Sequence, residues 1–374
     1  MSRKINVAIT GYYSTGSSAL VDLLKEYDNT AIASPVDGDY EHMAFYSPGA
    51  LYDLGAILLG DSRCPYTSDM AINHFIESAK RLYEHDFGWY GSYKKYYGNR
   101  FMESTLKFVE EISKKKDRKS AAHAKEVRFS IKKAILQLGA KLVYKRPITV
   151  LGREYVFDDN PTYFSVPTIE EFSKASKEYA KSYLEMCGKD ADVNVFDHLL
   201  WPQQVSTLDV YMPDNLKVIV LQRDPRDMYL LNKYYWHKPP VSTANPYYPT
   251  DAQAFIEEWK RTISLEKDTE RVLFLNFEDL IYRYEETVKK IEQFLGISEE
   301  NHIRQFNNFE PERSIENTQV FNLSDDWKNE VSCFEHELKD YLYQFPYERV
   351  PDKRLWFDTD LQLKGVKEKK KINR

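Results

Sequence analysis

The stretch that most constrains this chain is Ile5-Asn-Val-Ala-Ile-Thr-Gly-Tyr-Tyr-Ser-Thr-Gly-Ser-Ser-Ala-Leu20. Ile5 to Ile9 is a short apolar run rich in β-branched residues, the pattern of a strand buried in a parallel sheet. Gly11 and Gly16 bracket a tight loop, and Ser17 and Ser18 open a helix whose Leu20, Val21, Leu23 and Leu24 line one face. Strand, loop and helix start make an anion cradle, because glycines let backbone N–H groups converge and the helix dipole adds partial positive charge. The Gly-x4-Gly spacing is that of a P-loop, with Ser17 where the Walker A version carries lysine. A phosphate or phosphosulfate is therefore expected against Gly11, Ser14, Thr15, Gly16, Ser17 and Ser18, without the usual Mg-ATP chemistry. The plainer alternative is a strand–turn–helix joint with incidental glycines.

A chain of 374 residues can bury a large core or carry one large domain with insertions. Its formal net charge of −6 argues against a general nucleic-acid binder, which would be basic. The three cysteines, Cys64, Cys187 and Cys333, are far apart and form no motif, which suits a reducing cytoplasm and argues against a disulfide scaffold or a metal site. No apolar run reaches the length of a membrane span, and Met-Ser-Arg-Lys before the first strand leaves no room for a signal peptide. The expectation is a cytoplasmic protein.

A second strand is expected at Ala31 to Ser34, running into a polar loop that carries Glu41 and His42. That loop leaves the carboxyl end of its strand, the edge where ligands bind in open α/β sheets. Residues 48–140 read as a helical insertion, a lid or acceptor region, interrupted by an aromatic glycine-punctuated loop from Phe87 to Gly98. Lys114-Lys-Lys-Asp-Arg-Lys119 reads as a solvated helix end, Lys141 to Arg146 as a short strand, and Thr168 to Met186 as an amphipathic helix. Asp192 to His198 is a strand ending in Asp197 and His198. Leu216 to Gln222 is the clearest buried strand, and it enters Arg223-Asp-Pro-Arg-Asp227. Pro225 suits a first helical turn, where a missing N–H costs nothing. Arg271 to Phe277 is a further strand, Glu285 to Leu295 a helix ended by Gly296, and Glu330 to Tyr343 a last helix. Residues 360–374 are basic and expected to be disordered. The fold class is α/β: a P-loop-type parallel sheet flanked by helices, one domain over 1–374 with a large helical insertion.

Arg223 and Arg226 place two guanidiniums at a sheet edge, and arginine suits bidentate phosphate recognition. A capped helix start with internal ion pairs would give the same residues. A third stretch, Leu275-Asn-Phe-Glu-Asp-Leu280, precedes a helix ending in Phe-Leu-Gly-Ile297.

In order and spacing these three stretches resemble the sulfotransferases that use 3′-phosphoadenosine 5′-phosphosulfate (PAPS), most nearly the bacterial enzymes acting on surface polysaccharides. The resemblance covers about residues 5–40 and 190–345. Ser14 to Ser18 looks like the family's 5′-phosphosulfate loop, and Val218 to Asp227 like its 3′-phosphate motif. The chain departs from the family twice. Ser14 stands where a Lys or Arg is usual, and Leu231 stands where a Ser follows the motif's arginine by eight residues. Candidate replacements are Arg226, Lys145, Arg146 and Arg153 for the charge, and Asn232, Ser314 and Asn317 for the hydroxyl.

The resemblance implies in-line transfer of a sulfuryl group from PAPS, without a metal, to a hydroxyl of a carbohydrate or lipid-linked sugar. A base takes the hydroxyl proton. Glu41 matches a glutamate that some members place after the second strand; His42 and His198 are its competitors. Asp197 is equally a Walker B carboxylate or a helix cap. Aromatic residues at Trp89 to Tyr97, Tyr234 to Trp236 and Tyr247-Tyr248 are candidate sugar-stacking lips or core. A P-loop kinase or other nucleotide-binding protein with a degenerate Walker A loop is the competing reading, and a non-catalytic nucleotide-binding scaffold is a third. The basic tail is a candidate contact to the inner face of a membrane.

Overall fold

The computed structural model describes residues 4–12, 14–36, 40–61, 63–116, 131–144, 149–150, 153–154, 162–236, 249–263 and 267–354. Its centre is a five-stranded sheet of β1 (Ile5–Gly11), β2 (Thr30–Ile32), β3 (Val193–Asp197), β4 (Leu216–Gln222) and β5 (Val272–Asn276), in the order β2-β3-β1-β4-β5. Every pairing is parallel. Parallel strands are buried on both faces, which is why β1 and β4 read as near-continuous apolar runs rather than as alternation. Ile9 pairs with Asp197 on one side and Ile219 on the other, so the ends of β1, β3 and β4 meet at one carboxyl edge.

One face of the sheet buries Val7, Ile9, Ile219, Leu221, Leu273 and Leu275 against α1 (Ser17–Leu24) and the helix Tyr284–Leu295. Gly296 ends that helix in the left-handed conformation that a C′ position favours. Among the described residues no helix is long and apolar enough to cross a membrane.

By contacts the chain forms two compact units. One is Met1–His42, Cys187–Thr207 and Asp214–Arg374, and holds the sheet; the other is Met43–Met186 and Leu208–Pro213. The second unit is mainly helical, with helices Leu51–Leu59, Pro65–Glu84, Arg100–Ile112 and Ile169–Cys187. Its core is aromatic: Phe75, Phe108 and Tyr179 pack ring on ring, and Tyr183 hydroxyl donates to Tyr93 hydroxyl.

Three elements differ from the expectation. Lys114–Lys116 is no helix end but a strand antiparallel to Thr162–Phe164. Lysine is a poor strand former, yet an edge strand tolerates it where, as at Lys114 and Lys115, the side chain stays in water. Residues 141–144 end the helix Ile131–Tyr144 instead of forming a strand. The expected last helix is broken into Asp325–Glu330, Phe334–Glu337 and a turn at Lys339–Tyr341. Its end is held elsewhere: Tyr343 N–H donates to Asp224, and Tyr343 hydroxyl to Asp279.

Candidate active site

The loop after β1 is shaped by backbone conformations that few residues adopt. Gly16 has φ +81°, and a Cβ there would lie 2.9 Å from the Phe277 ring. Ser14 takes φ +64°, uncommon for a residue with a side chain. Thr15 donates to the Tyr12 carbonyl through both its N–H (3.1 Å) and its hydroxyl (2.9 Å), closing the turn. Among the described residues no side chain caps α1. Its first N–H groups, beside Ser17 and Ser18, therefore remain for an anion.

Beside this loop, β3 ends in Asp197 and His198. Asp197 Oδ1 lies 2.8 Å from His198 Nδ1, and His198 Nε2 lies 3.5 Å from Ser17 Oγ. His198 takes φ +46°, a strained conformation held by its N–H bond to the Ile9 carbonyl and by Thr10 hydroxyl donating to Leu200 carbonyl. The strand pairing explains the meeting: β3 sits next to β1, so the residue after β3 faces the loop after β1.

Glu41 and His42 reach the same edge, since His42 N–H donates to the Asp197 carbonyl. His42 is buried, edge-on to Tyr40 and Phe196, and burial lowers its pKa to about 4. It is held neutral. Glu41 is half-buried.

Arg223 follows β4 and is buried. Its Nη1 donates to the Ser14 carbonyl at 3.1 Å and its Nη2 to the Asn317 carbonyl, with the guanidinium over the Phe277 ring. A cation thus sits directly against the residue whose own side chain lacks one. Arg226 is committed elsewhere: it forms a two-pronged pair with Asp224 and lies over Phe321. Ser314 is buried at the end of the short helix Pro311–Ser314. Leu231 is fully buried, and Asn232 donates to the Pro249 carbonyl. Arg153 lies in the two-residue strand Arg153–Glu154 of the other unit. Lys145, Arg146, Tyr247, Tyr248 and the basic tail lie outside the described residues. Tyr93 and Tyr97 are core residues, while Trp89 is exposed.

A buried carboxylate network underlies the arginines. Asp227 accepts the N–H groups of Gln319 and Val320, which fixes the segment that carries Asn317. Glu278 accepts the Asp224 N–H, and its Oε2 is buried without a partner. Burial, with the nearby Asp224 charge, pushes the Glu278 pKa up to about 8. Sequence reasoning passed over Glu278 and Phe277 as parts of the site. Their signal was present, in a strand that ends Phe-Glu-Asp at the carboxyl edge.

The residues fit a phosphosulfate donor. Two buried polar atoms at the loop, Ser14 Oγ and Arg223 Nε, lack partners among the described residues, and Gly16 lets the loop close against the Phe277 ring, where a side chain would clash. Residues 183–341 match the sulfotransferase domain family. No curated protein matches the chain in sequence. Among solved structures, a sulfotransferase of Mycobacterium avium is 12% identical, with 94% of this chain and 79% of that one covered and a TM-score of 0.38. The sulfotransferase domain of a Synechococcus olefin synthase is 13% identical over 98% and 96%, with a TM-score of 0.30. Retinol dehydratase, solved with retinol and PAP, is 13% identical over 93% and 84%, with a TM-score of 0.34. The match to the sulfotransferase domain thus covers the part of the chain that carries β3, Arg223 and Glu278, and stops short of the phosphate loop, whose geometry is that of an anion cradle.

Proposed function

We propose that the chain sulfates a hydroxyl of a carbohydrate or glycolipid, with His198 as the base. The observation that carries the assignment is the line Asp197–His198–Ser17, with separations of 2.8 and 3.5 Å. A carboxylate on Nδ1 fixes the proton there and leaves Nε2 with its lone pair toward the loop. His198 Nε2 then takes the proton of an acceptor hydroxyl that docks beside both it and Ser17. The bound donor supplies a sulfuryl group on a phosphate that leaves with its electron pair. Arg223 and the N–H groups at the start of α1 hold that phosphate, and their fixed orientation stabilises charge as it develops. Asp197 is spent on orienting His198, which favours this reading over a Walker B carboxylate. Asn317, through its carbonyl, and Asp227, through its caps, position Arg223. Glu41 stands near the same edge and serves the acceptor's hydroxyls.

The test is transfer of labelled sulfate from PAPS to an oligosaccharide pool. In His198→Asn the rate is expected to fall about 100-fold or more, as for loss of a general base. Stabilisation of the fold by PAP is expected to persist. Undiminished transfer in that variant would remove His198 from the role.

A further inference from the structure

A cavity of about 320 Å³ opens beside the donor loop and shares Tyr12 and Arg223 with it. That volume is at the lower end of small-ligand sites. It lies beyond the carboxyl ends of β4 and β5, where Gln222 and Asn276 enter its wall.

The wall combines aromatic rings with planar polar groups. Trp259 and Tyr341 meet at right angles, with ring centres 6.1 Å apart. The Trp259 indole N–H is buried without a hydrogen-bond partner. Opposite in chemistry is a fixed carboxylate, Asp279. Its Oδ1 accepts from Tyr343 hydroxyl at 2.8 Å and lies 3.8 Å from Arg283 Nη1, while Oδ2 accepts from the Asn276 amide at 3.2 Å. A carboxylate offers about four acceptor sites, so Asp279 keeps capacity for a ligand hydroxyl. Arg223 and Arg283 are balanced by Asp279 and Asp340 in the same wall, so the cavity does not select a polyanion.

We propose that this cavity is a saccharide subsite that seats a neutral pyranose of the acceptor against the donor loop. The inference rests on the sulfotransfer reading and deepens it by naming where the acceptor binds. A pyranose has an apolar C–H face, which suits an indole or phenol ring, and a rim of hydroxyls that both donate and accept. Asp279 accepts from that rim, while Asn276 and Arg283 donate to it. A flat apolar acceptor would leave these groups unpaired, and desolvated polar groups without partners select strongly against such a ligand.

The experiment is saturation-transfer NMR on the full chain with methyl glycosides of glucose, galactose and N-acetylglucosamine, run beside calorimetric titration with PAP. At least one glycoside is expected to receive saturation from aromatic protons, and Arg283→Ala, at a half-exposed side chain, is expected to weaken it about 10-fold with PAP affinity unchanged. No transfer to any glycoside overturns the proposal. So does an Arg283→Ala variant that loses PAP and keeps the glycoside, because the cavity would then belong to the donor. Failure of the wild type to bind PAP, with glycoside binding intact, would instead count against the sulfotransfer reading.

Discussion

Arg223 holds two carbonyls, those of Ser14 and Asn317, and leaves one N–H buried without a partner. Its replacement is therefore expected to act twice. Arg223→Ala should abolish stabilisation by PAP in a thermal-shift titration and lower the stability of the free protein by about 1 kcal/mol, since two part-buried carbonyls lose donors. Arg223→Lys keeps the charge but not the fork, and should recover stability more than PAP binding. Glu278 gives a second prediction. Its folded pKa of about 8 lies above the ordinary value of 4.5. The folded state thus holds a proton that the unfolded chain releases, and this contribution to stability is lost as pH rises from about 4.5 through 8. Glu278→Gln should flatten that decline, so its melting temperature should gain on the wild type between pH 6.5 and 8.5; an unchanged difference would mean the carboxyl is ionised in the fold. His42 has the opposite sign. Its folded pKa of about 4 lies below 6.5, so its contribution is present above 6.5 and fades on acidification toward 4. His42→Leu should remove that acid-side loss in denaturant titrations from pH 4 to 6.5.

The loop after β1 is where backbone conformation decides the element. Gly16→Ala must adopt φ +81° and also meet the Phe277 ring at 2.9 Å. The left-handed conformation alone costs about 1–2 kcal/mol. The variant is expected to melt several degrees lower and to respond weakly to PAP, with Phe277→Ala in the same chain relieving the contact but not the φ. Such an element is legible in sequence because its determinants are local: two glycines, a β-branched run before them and hydroxyls after them. The same holds for β4 and Pro225. Lys114–Lys116 was illegible for the converse reason, since what makes it a strand is Thr162–Phe164 in a distant part of the chain. The residues from Glu330 to Tyr343 mislead differently. Val331, Phe334 and Leu338 recur at a helical period, but the tertiary hydrogen bonds of Tyr343 to Asp224 and Asp279 pull the segment out of one helix. Asp197 and His198 lay in plain view at the end of an apolar strand. Their proximity to Ser17 depended on β3 being inserted next to β1, which strand order alone decides.

At the scale of the molecule, the family match covers residues 183–341 and so lies apart from the phosphate loop, which is read from its own residues and geometry. The two halves of the site come together through the Arg223 bridge from Ser14 to Asn317. That bridge also sets a timetable for biosynthesis. A ribosome adding about 5–20 residues per second separates the emergence of Ser14 from that of Asn317 by roughly 15–60 s. β1 meets its neighbours β3 and β4 well within that interval, but the loop that β1 feeds stays unbraced until Asn317 is made. The loop after β1 is thus the first part of the site to be translated and among the last to be braced, so the order of synthesis leaves it open while the sheet around it forms.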